Sequence, residues 1–119
     1  MNFTKLQVWQ KAHELTLRVY EITKGFPESE KYRLVDQLCR SASSVPANIA
    51  EGQSLQTTSE YLQFLYQARG SLAETKYHLL LANDLGYLEG SSYQELKEMC
   101  DTTGKMLNGL INSLNEDKV

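Results

Sequence analysis

The sequence predicts an all-α fold, an antiparallel up-down-up-down four-helix bundle with helix two kinked near Pro46. Three observations carry that expectation. Apolar residues recur at steps of three and four along four segments, each about 20 to 30 residues long as bundle helices are. No stretch alternates apolar and polar residues for long enough to make a strand. Proline stands only at positions 27 and 46, so little interrupts a helical reading.

Helix one is expected over residues 4–24, with Thr4 and Gln7 at capping-box spacing. Leu6, Trp9, His13 and Tyr20 share a face that Val8, Leu15, Val19 and Ile22 widen, and this is the expected core side. Gln7, Lys11, Glu14, Arg18 and Glu21 lie opposite with alternating sign, the pattern of a solvated surface. Gly25, Phe26 and Pro27 end the helix: glycine takes a left-handed cap, phenylalanine folds back, and proline cannot continue.

Helix two is expected over residues 29–52, and its second half organises the rest of the chain. Val35, Leu38, Ala42, Val45, Ile49 and Gly52 keep one face apolar or small straight through Pro46. A proline inside a helix removes a backbone hydrogen bond and costs about 3 kcal/mol or more, so the packing around it must supply an offset. Arg40, Ser44, Asn48 and Glu51 form a polar seam at similar spacing.

Helix three follows the polar turn 53–56, with Thr57 and Glu60 as a second capping box and Gly86 as the left-handed cap. Its core stripe is Tyr61, Leu65, Ala68, Leu72, Thr75, Leu79 and Ala82. A second stripe, Leu62, Tyr66, Ala73, Tyr77 and Leu80, exceeds what a lone bundle buries and is expected to face another subunit. Ser92 and Glu95 supply the cap of helix four, where Tyr93, Leu96, Cys100, Thr103, Leu107, Leu110 and Leu114 keep the rhythm. Gly104 and Gly109 mark close packing or a frayed end.

The 119 residues, 13.5 kDa, make one domain over 1–119. No basic leader with an apolar core opens the chain, and no apolar run reaches the roughly 20 residues that span a bilayer. The expectation is a cytoplasmic protein with no membrane partner, in which Cys39 and Cys100 stay reduced. The net charge is −3, a poor fit to general polyanion binding. It divides unevenly, with seven Lys and Arg against six Asp and Glu before residue 57, and five against nine from there on. A local basic patch in the first half is therefore the nucleic-acid surface to consider, and the cations that would make the contacts are Lys11, Arg18, Arg33 and Arg40 together with Arg69 on helix three.

Catalytic and metal chemistry find no pattern to rest on. His13, Cys39, His78 and Cys100 fall one per helix at a similar level, yet no CxxC or HxxxH pair pre-organises a metal. The two Glu-x-x-His motifs of di-iron bundles, a phosphate loop and a nucleophile elbow are all missing. Ser43 and Ser44 have no neighbouring base to activate them. No cofactor is expected. The seam, extended by Arg69 and Glu74, is read first as structural: Arg40 and Arg69 pair with Glu74, Glu14 or Asp36 and fix helix register, since an unpaired buried charge is costly. The other reading leaves them exposed at a subunit junction or on phosphate.

Three stretches, Trp9-Gln-Lys-Ala-His-Glu-Leu15, Arg40-Ser-Ala-Ser-Ser-Val-Pro-Ala-Asn-Ile-Ala-Glu-Gly52 and Phe64-Leu-Tyr-Gln-Ala-Arg-Gly-Ser-Leu-Ala-Glu74, together resemble the four-helix-bundle proteins encoded in 23S rRNA intervening sequences. That family is similar in fold to the accessory variability proteins of diversity-generating retroelements, pentameric rings that contact reverse transcriptase and nucleic acid. The resemblance implies a bundle and a homo-pentamer, and it brings no catalytic residues. The expected function is a non-enzymatic homo-oligomeric scaffold or adaptor; the alternative is an RNA-binding or ribonucleoprotein accessory subunit, whose partner is RNA or a nucleic-acid-handling protein.

Overall fold

The computed structural model describes residues 2–118, and they form four helices with two short 3-10 turns and no strand. Helices α1 (Gln7–Thr23), α2 (Leu34–Gln53), α3 (Thr58–Asp84) and α4 (Gly90–Lys118) run up, down, up and down in a body of 48 × 24 × 21 Å. Each helix packs on its neighbours in sequence, α4 closes on α1, and the diagonal pairs α1 with α3 and α2 with α4 stay apart. Pro46 lies inside an unbroken α2.

Local signals account for most boundaries. Thr57 N-caps α3 as expected, its Oγ1 accepting from the Glu60 amide, but the Glu60 carboxylate takes the Thr57 hydroxyl proton at 2.7 Å in place of the backbone N–H of a full capping box. Gly86 adopts φ +81, and the Tyr87 amide reaches back to the Ala82 carbonyl, closing α3 with a left-handed glycine cap. Other ends differ from expectation. Thr4 does not cap α1: Asn2 caps a 3-10 turn over Phe3–Lys5, and the helix begins at Gln7. Gly25 keeps a negative φ, and α1 ends in tightened 3-10 hydrogen bonds instead. Residues 28–30 form a separate 3-10 turn, so α2 starts five residues later than predicted. Helix α4 starts at Gly90, two residues before Ser92; Glu95 is drawn off to Arg18.

The core is one apolar column. From α1 it takes Val8, Ala12, Leu15 and Val19, from α2 Leu38, Ala42, Val45 and Ile49, from α3 Leu62, Leu65, Ala68, Leu72 and Leu79, and from α4 Leu96, Cys100, Leu107 and Ile111. Each large aliphatic side chain buried this way stabilises the fold by about 1.5 to 3 kcal/mol against exposure. The inner face of α1 is thus rotated from the predicted one. His13 and Tyr20 are exposed, while Ala12, Thr16 and Thr23 face inward. Small side chains let α1 approach α2 closely, and bulky ones at those positions would hold it off.

At that close approach lies the offset for Pro46. The amide that proline lacks would have bonded the carbonyl four residues back, on Ala42. Thr16 of α1 points its hydroxyl at this carbonyl, 3.0 Å away, while also lying 2.9 Å from the Ala12 carbonyl. The hydroxyl has one proton to share between the two carbonyls, so the acceptor left by proline is served in part from the neighbouring helix, which offsets some of the penalty.

Candidate functional site

Of the residues read as a polar seam, Ser44 and Asn48 lie between α2 and α3, and Ser41 and Gly52 stand there in place of Arg40 and Glu51. Ser41, Ser44, Asn48 and Gly52 of α2 meet Tyr61, Ser71 and Thr75 of α3. Asn48 Nδ2 donates to the Ser44 carbonyl at 2.8 Å and lies 2.9 Å from Ser44 Oγ, which is 2.8 Å from Ser71 Oγ. Thr75 Oγ1 lies 2.8 Å from the Ser71 carbonyl and 3.0 Å from Ser41 Oγ, whose proton goes to the Leu38 carbonyl. Every hydroxyl on this ladder has a partner, as burial demands. Gly52 completes the contact: a Cβ there would stand 2.9 Å from Phe64 Cβ and 3.3 Å from the Tyr61 carbonyl. The ladder holds two helices together and leaves no hydroxyl free to attack a substrate.

Arg40 and Glu51, the other members of the predicted seam, fall outside it. Arg40 is exposed and pairs with Asp36 at 3.0 Å along its own helix, one of the partners expected for it. Glu51 is exposed, and its carboxylate makes no hydrogen bond or ion pair among the described residues. Arg69 departs from its expected carboxylates. It donates to Asn108 Oδ1 at 3.3 Å and lies over the Tyr66 ring at 5.0 Å. Glu74 is exposed, with its carboxylate 3.5 Å from His78 Nε2. Both ring nitrogens of His78 are buried without a hydrogen bond, and nothing in the structure accounts for that.

The five cations considered for nucleic acid do not converge. Lys11 pairs with Glu14, Arg18 with Glu21 and with Glu95 at 2.6 Å, Arg33 with Glu30, and Arg40 with Asp36. They sit on different sides of the bundle, and Arg69 is on the helix diagonal to Lys11 and Arg18. The hydrogen bond and charge of Glu95 raise the Arg18 pKa, holding the guanidinium in this intramolecular pair.

The predicted subunit face separates into two. Leu62 belongs to the core, at 3% exposure. Tyr66, Ala73, Tyr77 and Leu80 are exposed, as a subunit face requires. Beside them an apolar groove of about 460 Å³ runs between α3 and α4, lined by Tyr77, Leu79, Leu80, Tyr93 and Cys100 with Lys76 and Lys97 at its rim. Lys76 bonds Asp101 at 2.9 Å, which raises the lysine pKa and lowers that of the aspartate. Burial pushes the Cys100 thiol up to about 12, so it is neutral at physiological pH and a poor nucleophile. Burial also raises the Cys39 pKa, with a 3.7 Å contact to Thr23 opposing it.

Sequence reasoning missed a matching feature on α1. Phe3 meets Trp9 edge to face and Trp9 stacks on His13, with centroids 5.1 and 4.9 Å apart, and Leu17 and Tyr20 continue the line at 57% and 51% exposure. The spacing of Trp9, His13, Leu17 and Tyr20 was the available signal, but its aromatic residues read as core.

Among the described residues no group of three or more His, Cys, Asp or Glu could hold a metal, and no helix is long and apolar enough to cross a membrane. Fold and surface together define a four-helix bundle whose polar interior is structural and whose distinctive features are apolar stripes on its outer faces. Residues 4–109 match the model of the 23S rRNA-intervening sequence protein family, and the chain belongs to that family. A solved structure of a protein of unknown function from Bacteroides thetaiotaomicron, described as from the S23 ribosomal protein family, is 25% identical. It superposes with a TM-score of 0.79 over 87% of this chain and 97% of that one. A comparison with curated proteins finds no match.

Proposed function

We propose that this protein is a non-enzymatic, homo-oligomeric bundle that serves as a scaffold or adaptor in the cytoplasm. The observation that carries the reading is the row of Tyr66, Ala73, Tyr77 and Leu80 on the outside of α3, beside an apolar groove. Apolar side chains gathered in a row beside such a groove mark an interaction surface more often than scattered ones do. A pentamer is the assembly that the family resemblance suggests. Light scattering of the purified chain is expected to give a mass several times the 13.5 kDa of one copy; a mass of one copy at micromolar concentration sinks the reading.

The alternative, an RNA-binding accessory subunit, has the family's association with ribosomal RNA in its favour and the pairing of its cations against it. Its test is a titration with structured RNA at physiological salt. Binding that weakens when Arg40 and Arg69 become Ala supports it, and no binding removes it.

A further inference from the structure

We propose that copies of this chain associate head to tail, with the α1 stripe of one copy seated in the α3–α4 groove of the next. This rests on the homo-oligomeric reading and adds the contact that builds it. Of the seven large exposed hydrophobic side chains among the described residues, Leu17 and Tyr20 lie on α1 and Tyr66, Tyr77 and Leu80 on α3. These helices are diagonal in the bundle, with no close backbone approach, so the two exposed apolar surfaces look in different directions and cannot serve one contact between two copies. Two unlike surfaces on one molecule are what a heterologous interface needs, and such an interface generates rings where its rotation closes.

The surfaces also match in shape and charge. The α1 stripe is convex, a ridge of side chains on a helix, while the groove between α3 and α4 is concave with Tyr77, Leu80 and Tyr93 on its walls. Glu14 and Glu21 stand one helical turn before and after Leu17, both exposed. Lys76 and Lys97 stand at the rim of the groove, and Lys97 has no carboxylate within 4 Å among the described residues. Glu14, Glu21 and Lys76 already stand in exposed ion pairs with Lys11, Arg18 and Asp101, so Leu17 in the groove brings the two carboxylates toward Lys97, the ammonium with no ion pair of its own among the described residues, a complementarity that stripe on stripe or groove on groove lacks.

The test uses the full chain in two variants, Leu17→Glu, which spoils the stripe and keeps the groove, and Tyr77→Glu, which does the reverse. Both positions are more than half exposed, so each variant is expected to keep its helical circular dichroism and cooperative melt. Each alone is expected to run as a monomer in light scattering. Mixed in equal amounts, they are expected to form a dimer and nothing larger, because one intact stripe meets one intact groove and the outer surfaces are both spoiled. A mixture that stays monomeric, a single variant that dimerises with itself, or variants that retain the wild-type mass each overturn the head-to-tail contact while leaving self-association standing. A wild-type chain that is itself monomeric overturns both.

Discussion

Helix α3 makes two contacts of opposite character. Toward α2 it is small and closely fitted, with Ser71 and Thr75 on the hydroxyl ladder and the Tyr61–Phe64 turn against Gly52. Toward α4 it is looser, tied at its edge by Lys76 to Asp101 and Arg69 to Asn108, with an apolar groove open between the helices. The difference teaches where the chain has fixed its own geometry and where it has left surface to be covered. A contact that admits no extra methyl group has no room for a partner, whereas an open groove edged by lysines does.

That contrast can be broken most severely at Gly52. Replacement by Val forces side-chain atoms into Phe64 and the Tyr61 carbonyl, with an expected loss of about 3 kcal/mol in urea unfolding at fixed protein concentration. A Gly52→Val variant of wild-type stability would show that α2 and α3 are not held close. Thr75→Val removes the hydroxyl that serves Ser41 and the Ser71 carbonyl, and about 1 to 2 kcal/mol should go with it. Little or no change there would mean the ladder is ornamental.

Thr16→Val is expected to cost about 1 kcal/mol or slightly more by stranding the Ala42 carbonyl. In a Pro46→Ala background the restored amide takes over that acceptor, so the cost should shrink by at least about 0.5 kcal/mol. Strict additivity in this double-mutant cycle would reject the compensation. Gly109 has open space around its Cα, and Gly109→Ala should raise stability by up to about 1 kcal/mol. On the looser side of α3, Lys76→Ala removes only an exposed ion pair and should change monomer stability by less than about 1 kcal/mol. A larger loss would make the α3–α4 contact as tightly specified as the α2–α3 one.

The sequence made some elements plain because one local mechanism decides each. Thr57 with Glu60 and the glycine at 86 mark the ends of α3 by hydrogen-bonding chemistry that works within a few residues, and the α3 core stripe follows from a long regular period. What stayed hidden depends on how near two helices come. Ala12, Thr16 and Thr23 carry little hydrophobic signal, yet they are the inward residues of α1, while Tyr20 carries more and lies outside. Leu62 reads as surface because it sits beside the α3 stripe, and only the packing of the assembled bundle places it in the core. The exchange of the two outer members of the seam has the same origin: Ser41 and Gly52 are small enough for the closest approach, so Arg40 and Glu51 are turned out to solvent. The outer α1 stripe was legible as a spacing and not as a direction.

The carbonyl of Ala42 has a meaning for how the molecule comes apart. Helix α2 cannot complete its own hydrogen-bond inventory, because one acceptor in its middle depends on a threonine that arrives on α1. If α1 detaches or slides by a residue, that acceptor is orphaned inside the bundle, so a local opening of α1 is charged with a defect in α2 as well. The two helices should therefore open as one cooperative unit. Hydrogen exchange should show the central amides of α1 and those of α2 around Pro46 protected by the same free energy, and the Thr16→Val change should uncouple them.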